Sequence, residues 1–212
     1  MTSSCVFDDH RFCNSHIVSL LANNIAGGKS YITPAMRMAL DVIASDPESP
    51  IFGKDLDTLV NNRQINMFER DAHGLPLLEN YVVMAMLRFT SKVVPTVRCY
   101  GSNNEEFVMS TEDYVNNELY VTPESIYLQN PDNHDIYKYG KLVAIDFTDG
   151  HGVSQTRFVE TFDNVQLNFN IDAMVENDRW HVIWRAARSC GIGAARHHWY
   201  GNFIVTRWER AN

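Results

Sequence analysis

Val165, Leu167, Phe169 and Ile171 alternate with Gln166, Asn168 and Asn170, so this stretch reads as a strand with one buried face. Shortly after it, Trp180, Ile183, Trp184 and Ala187 recur at helical spacing, which predicts a helix over 178–189. Gly191 follows where a left-handed residue would end that helix, and a last strand is expected over 202–208. A strand, a helix and a strand with short joints form a β-α-β unit. Its two strands must lie parallel in one sheet, joined by a right-handed crossover. No other part of the sequence narrows the fold as much.

Upstream, Ser15–Ala26 reads as a helix, with Ile17, Leu20, Leu21 and Ile25 on one face and Gly27-Gly28 as its stop. Thr33 and Pro34 form an N-cap and first helical position ahead of Met36, Ala39, Leu40 and Ile43. A weaker helix is expected over 54–61, and 64–76 is expected to be irregular. Pro76 then opens a helix from Leu77 to Phe89 that is apolar nearly all round and should be buried. Short strands follow at 96–100, 105–109, 118–121, 125–128, 141–147 and 154–161. Helices first and antiparallel strands later make an α+β fold. The expected organisation is a single domain over 1–212, with a helical portion at about 15–93 and a strand-rich portion at about 94–212.

The 212 residues include no apolar run of the ~18 residues that a membrane span needs, and Met1–Cys5 lacks the features of a secretory signal. The expectation is a cytoplasmic protein with free thiols and no membrane partner. Net charge is −8, which argues against a generic basic nucleic-acid coat. The charge is uneven, however. From residue 177 onward six arginines stand against Asp178 and Glu209, leaving that segment at +4 and the remainder at −12. A cationic end on an acidic body points to a localised anion-binding face.

Between the last helix and strand lies Gly191-Ile192-Gly193-Ala194-Ala195-Arg196-His197-His198-Trp199-Tyr200-Gly201. Gly193 permits a tight turn, Arg196 is a planar cation suited to phosphate, His197 and His198 can donate hydrogen bonds, and Trp199 and Tyr200 offer faces for base stacking. The order Gly-hydrophobic-Gly, five residues with a cation, a hydrophobic residue and Gly, between a helix and a final strand, resembles the glycine-rich loop of the RAMP superfamily. Trp199 occupies the position of that loop's third glycine.

The stretch from Arg157 to Val205, with Arg196, Tyr200-Gly201 and Phe203, is also similar to a group of tailed-phage proteins of obscure function. Leu75–Asn80 loosely resembles their Pro-x-x-Glu-Asn. The resemblance implies an RRM/ferredoxin-like core whose loop faces single-stranded DNA or RNA, and assembly of repeated subunits as a homo-oligomer or filament along the strand. For a phage-encoded protein the compartment is the host cytoplasm. The nucleic-acid-binding set is then Arg157, Arg188, Gly193, Arg196, His197, His198, Trp199 and Tyr200, with no cofactor and no catalytic residue.

Two other functions compete with this one. His197-His198 can serve as acid and base in a metal-independent ribonuclease. The acidic body can belong to a virion component or to an inhibitor that mimics nucleic acid. Cys5, His10, Cys13 and His16 have zinc-binding chemistry, but their spacing matches no zinc module and no metal is expected. The pairs Asp8-Asp9, Asp55/Asp57 and Glu105-Glu106 share no spacing and read as solvated faces.

Overall fold

A computed structural model describes residues 14–101, 105–148, 152 and 154–211. In chain order the elements are β1 (Asn14–Ala26), α1 (Pro34–Ala44), α2 (Leu56–Asn61), β2 (Ile65–Asn66), β3 (Glu69–Arg70), β4 (Pro76–Glu79), α3 (Asn80–Phe89), β5 (Thr96–Tyr100) and β6 (Glu106–Ser110). They continue with α4 (Thr111–Asp113), β7 (Leu119–Thr122), β8 (Ser125–Tyr127), β9 (Lys141–Thr148), β10 (Ser154–Ala173), β11 (Glu176–Asn177), α5 (Trp180–Cys190) and β12 (Phe203–Arg210).

The central sheet runs β12-β1-β10, with β7 on the far side of β10, and every neighbouring pair in that row is antiparallel. Strands β10 and β12 are therefore parallel to each other with β1 between them, as the β-α-β unit requires. Strands β1 and β7 are likewise parallel across β10. Helices α3 and α5 pack together and bury Val83, Met86, Leu87, Trp180, Ile183 and Trp184 in one cluster with the sheet residues Val18, Leu20, Val165 and Leu167. A β-α-β-β-α-β path with strand order 4-1-3-2 and both helices on one face is ferredoxin-like, and the fold is α+β.

Several expectations are corrected. Ser15–Ala26 is not a helix but β1, the centre of the sheet. His16, Val18, Leu20 and Ala22 alternate onto the helix-covered face, while Ser15, Ile17, Ser19 and Leu21 point the other way. With β10 on one edge and β12 on the other, apolar residues on both faces imitate a helical stripe. Gly27 does not stop a helix. A Cβ there would overlap the Met67 backbone, so glycine is needed for close approach.

The helix expected from Leu77 begins only at Asn80, because Pro76–Glu79 pairs with β3 and β8. That helix is not buried all round: Tyr81, Ala85 and Phe89 face outward. The strands expected at 154–161 and 165–171 are one strand, β10, and part of 64–76 pairs as β2 and β3. Other expectations hold. Thr33 Oγ1 accepts from the Met36 N–H at 3.3 Å, and Pro34 opens α1.

Two buried features tie these layers. Arg70 and Glu160 form an ion pair whose side chains are both 0% exposed. Glu160 also accepts from the Phe68 and Gly140 N–H groups at 3.1 and 3.2 Å, and Arg70 donates to the Gly74 and Lys138 carbonyls at 2.8 and 2.7 Å.

The second feature is His16, stacked on Trp208 at 4.3 Å and tilted against Trp180 at 6.1 Å. Burial holds its pKa below the usual histidine value, against the partial opposition of Glu176 at 4.0 Å and of Asp172; Arg210 adds to the lowering. An imidazole with a depressed folded pKa binds its proton more readily when unfolded. Stability from this site is thus complete above about pH 6.5 and falls as pH drops from there toward the folded pKa. Thermal unfolding between pH 7.5 and 5.5 should show a decline that His16→Phe flattens; an equal decline in both proteins would remove His16 as its source.

Candidate nucleic-acid interface

The loop after α5 is fastened to the end of β1. The Gly191 N–H donates to Ala187 O at 3.0 Å, closing the helix. Its φ of +73° with ψ of 165° is a glycine-only extended turn, not the left-handed cap expected from the sequence. Ile192 N–H donates to Gly201 O at 2.8 Å, Ala194 N–H to Ala26 O at 3.0 Å, and Gly201 N–H to Asn24 O. Gly193, at φ +86°, lies where a Cβ would come within 3.0 Å of Ala26 O and Ile25 Cγ1. The N–H groups of Ile192, Ala194 and Gly201 are thus spent on the loop's own anchorage.

Beyond this latch the chain makes a single 3-10 turn, Arg196–His198, bracketed by Ala195 at φ +52° and Trp199 at φ +67°. Trp199 takes a left-handed conformation that glycine would adopt freely and that a side chain disfavours. The residue is 82% exposed. Asn202 Nδ2 donates to the Trp199 carbonyl at 3.3 Å. Tyr200 turns inward against Ala26, Ile145, Val159 and Ala195.

Two aromatic rings sort the remaining expected residues. The Arg157 guanidinium lies 5.4 Å from the Phe147 ring, and the His198 imidazole meets the same ring edge-on at 5.4 Å. Arg157 Nε is buried without a hydrogen-bond partner among the described residues. On α3, Phe89 carries Arg196 at 5.8 Å and Lys92 at 4.2 Å. Arg188 is exposed in the last turn of α5, where it complements the helix dipole. The side chain of His197 lies outside the described residues.

The structure therefore brings Arg157 and His198 together, sets Arg196 over a different ring, and presents Trp199 to solvent. Arg207 pairs with Glu209 at 2.7 Å and Arg210 approaches Glu176 at 4.0 Å. Arg157, Arg179, Arg185, Arg188 and Arg196 have no carboxylate within 4.0 Å among the described residues. Phe89, Lys92 and Phe147 escaped sequence reasoning, since each lies far from the loop in the chain and carries no motif.

Of the other candidates, those among the described residues are mostly engaged elsewhere. Cys5, His10, Cys13 and Asp8-Asp9 lie outside the described residues, and His16 is stacked on Trp208. Asp55 caps α2 by accepting from the Asp57 and Thr58 N–H groups, Asp57 pairs with Arg37 at 2.6 Å, and Glu106 pairs with Arg98 at 3.2 Å. The Gln166/Asn168/Asn170 face of β10 is partly engaged with itself: Asn168 accepts from Ser19 and Gln166 and donates to Gln129.

Fold and loop together define an α+β protein of ferredoxin-like topology with a cationic, aromatic loop between its last helix and last strand. No family model and no curated protein matches the chain. Among solved structures it is similar to a chain in the cryo-EM structure of the Type III-B Cmr-beta bound to cognate target RNA, at 13% identity and a TM-score of 0.47. The match covers 94% of this chain and 61% of that one. Among the described residues, no helix is long and apolar enough to cross a membrane.

Proposed function

We propose that this chain binds single-stranded DNA or RNA, without cutting it, through the loop between α5 and β12. The observation that carries the reading is Trp199, an 82% exposed residue held on a left-handed backbone, in a loop whose Arg196 has no carboxylate within 4.0 Å among the described residues. Strained, exposed residues of this kind concentrate at functional sites. An aromatic face among cations is what sequence-tolerant grip of a single strand requires: bases stack on the ring while guanidinium groups follow the phosphates.

Arg196, Arg188 and Arg157 supply the charge, Trp199 the stacking face, and His197 and His198 further donors. Gly193 and Tyr200 hold the loop to β1 and to the β9–β10 hairpin. The resemblance of the loop to RAMP-superfamily and tailed-phage sequences supports the same reading, and implies repeated subunits along one strand.

Fluorescence anisotropy with labelled oligonucleotides tests it. Trp199→Ala should weaken binding by about 5- to 150-fold, the range expected for one stacked base. Trp199→Gly should weaken it equally while suiting the backbone better. Arg196→Ala should lower affinity and reduce the salt slope by about one. The reading is lost if the wild-type chain binds no oligonucleotide at low salt, or if affinity is untouched by Arg196→Ala combined with Trp199→Ala.

A further inference from the structure

Helix α3 ends at Phe89 and runs directly into a 3-10 turn, Thr90–Lys92. Thr90 is fully buried. Its Oγ1 donates to Leu87 O at 2.6 Å, and its carbonyl accepts from the Val93 and Val94 N–H groups at 2.9 and 2.8 Å. The turn is therefore fixed, and α5 packs against both it and α3. It sets the exposed Lys92 with Nζ 4.2 Å from the centre of the Phe89 ring, and the loop brings the Arg196 guanidinium to 5.8 Å from the same centre. Phe89 itself is 40% exposed.

An aromatic ring attracts each cation but neutralises neither. No carboxylate lies within 4.0 Å of Lys92 or Arg196 among the described residues. Both charges also reach Cys190 at the end of α5, where they act against the burial that raises its thiol pKa. Like charges thus gather where the end of α3, the end of α5 and the loop meet, and their mutual repulsion is relieved by an anion. An exposed ring among such cations suits the backbone of a single strand.

The open face of the sheet, away from α3 and α5, is built otherwise. Single-stranded RNA on sheets of this kind stacks its bases on aromatic residues of that face. Here β10 presents Gln166, Asn168 and Asn170, and the charges beside them are Asp172 and the paired Arg207 and Glu209. Ser19 and Ser15 donate to Asn168 and Asp172. The exposed ring of Tyr120 lies opposite the carboxylate-bearing Asp172, which disfavours a phosphate there.

We propose that Lys92 and Arg196 grip the phosphate backbone of the strand across Phe89, so that it leaves Trp199 over the ends of α3 and α5 and not over the sheet. The proposal rests on the reading that a strand is held at Trp199, and adds Lys92 and a path to it.

Fluorescence anisotropy of the full chain with labelled oligo(dT) and oligo(U) tests the path. Lys92→Ala should weaken both severalfold and reduce the salt slope by about one. Lys54→Ala removes the same charge from beside Phe158, in the cluster around α1, and measures the effect of net charge alone. Asn170→Arg adds a cation to the open sheet face and should raise affinity no more than Lys54→Ala lowers it.

A loss in Lys92→Ala no greater than that in Lys54→Ala overturns the proposal, as does a gain in Asn170→Arg above that charge effect. Either result leaves the Trp199 reading standing where Trp199→Ala still weakens binding. Thermal stabilisation by inorganic phosphate that Lys92→Ala removes, with oligonucleotide affinity unmoved, assigns the two cations to free phosphate and also overturns it. A wild-type chain that binds neither oligonucleotide removes the Trp199 reading and this path with it.

Discussion

Arg70→Met should lower stability by about 3–5 kcal/mol, the cost of leaving a buried carboxylate without its counter-charge. Glu160 is fully enclosed, and its remaining partners, the Phe68 and Gly140 N–H groups, are neutral donors that offset only part of its lost hydration. The pair connects β3, β10 and the segment before β9, so the damage should appear as a lower urea midpoint for the whole unfolding transition. Arg70→Met combined with Glu160→Leu should recover much of the loss, because no charge is then stranded. A loss under about 1 kcal/mol for Arg70→Met would mean that water reaches the site.

The second large effect is expected at Gly201. Alanine there would place its Cβ against the Ile192 carbonyl oxygen, at φ +79°, and would displace the N–H that donates to Asn24 O. Steric overlap with backbone adds to left-handed strain, so Gly201→Ala should cost about 3 kcal/mol or more. Gly74→Ala is the control. It has a similar φ of +78° but no atom within 4 Å of the new Cβ, so only the backbone term of about 1 kcal/mol remains. Equal losses at the two sites would show that the latch between the loop and β1 adds nothing beyond conformational strain.

What could be read from the sequence followed from how each segment is exposed. Strand β10 after Asn164 has one covered face and one polar face, so its period of two was plain. Helix α5 and the loop carried their own stop and turn residues. Strand β1 imitates a helix in sequence because it is paired on both edges and apolar on both faces, which leaves no clean alternation. The start of α3 is hidden in the sequence for a similar reason: Pro76–Glu79 is largely apolar, short and continuous with the helix. At the interface, Arg196 and Trp199 were visible as residue types within a loop. Their separation over Phe89 and into solvent arises from two positive-φ residues and from packing against distant strands, and local sequence encodes neither.

The pairing of β1 with β12 also governs how the chain reaches this fold. His16 is opposite Arg210 and Ala22 opposite Phe203, so one edge of the innermost strand stays open until the last strand has been synthesised. Contacts this distant in sequence reward the chain only after a long loop has been closed, which slows folding. Meanwhile Val18 and Leu20 sit on an unpaired edge, the kind of segment that seeks a partner in another chain. The latch at Asn24 and Ala26 is made to the same strand, so the loop that carries Trp199 is anchored through β1. A chain in which β1 is not yet in place would lack that anchorage.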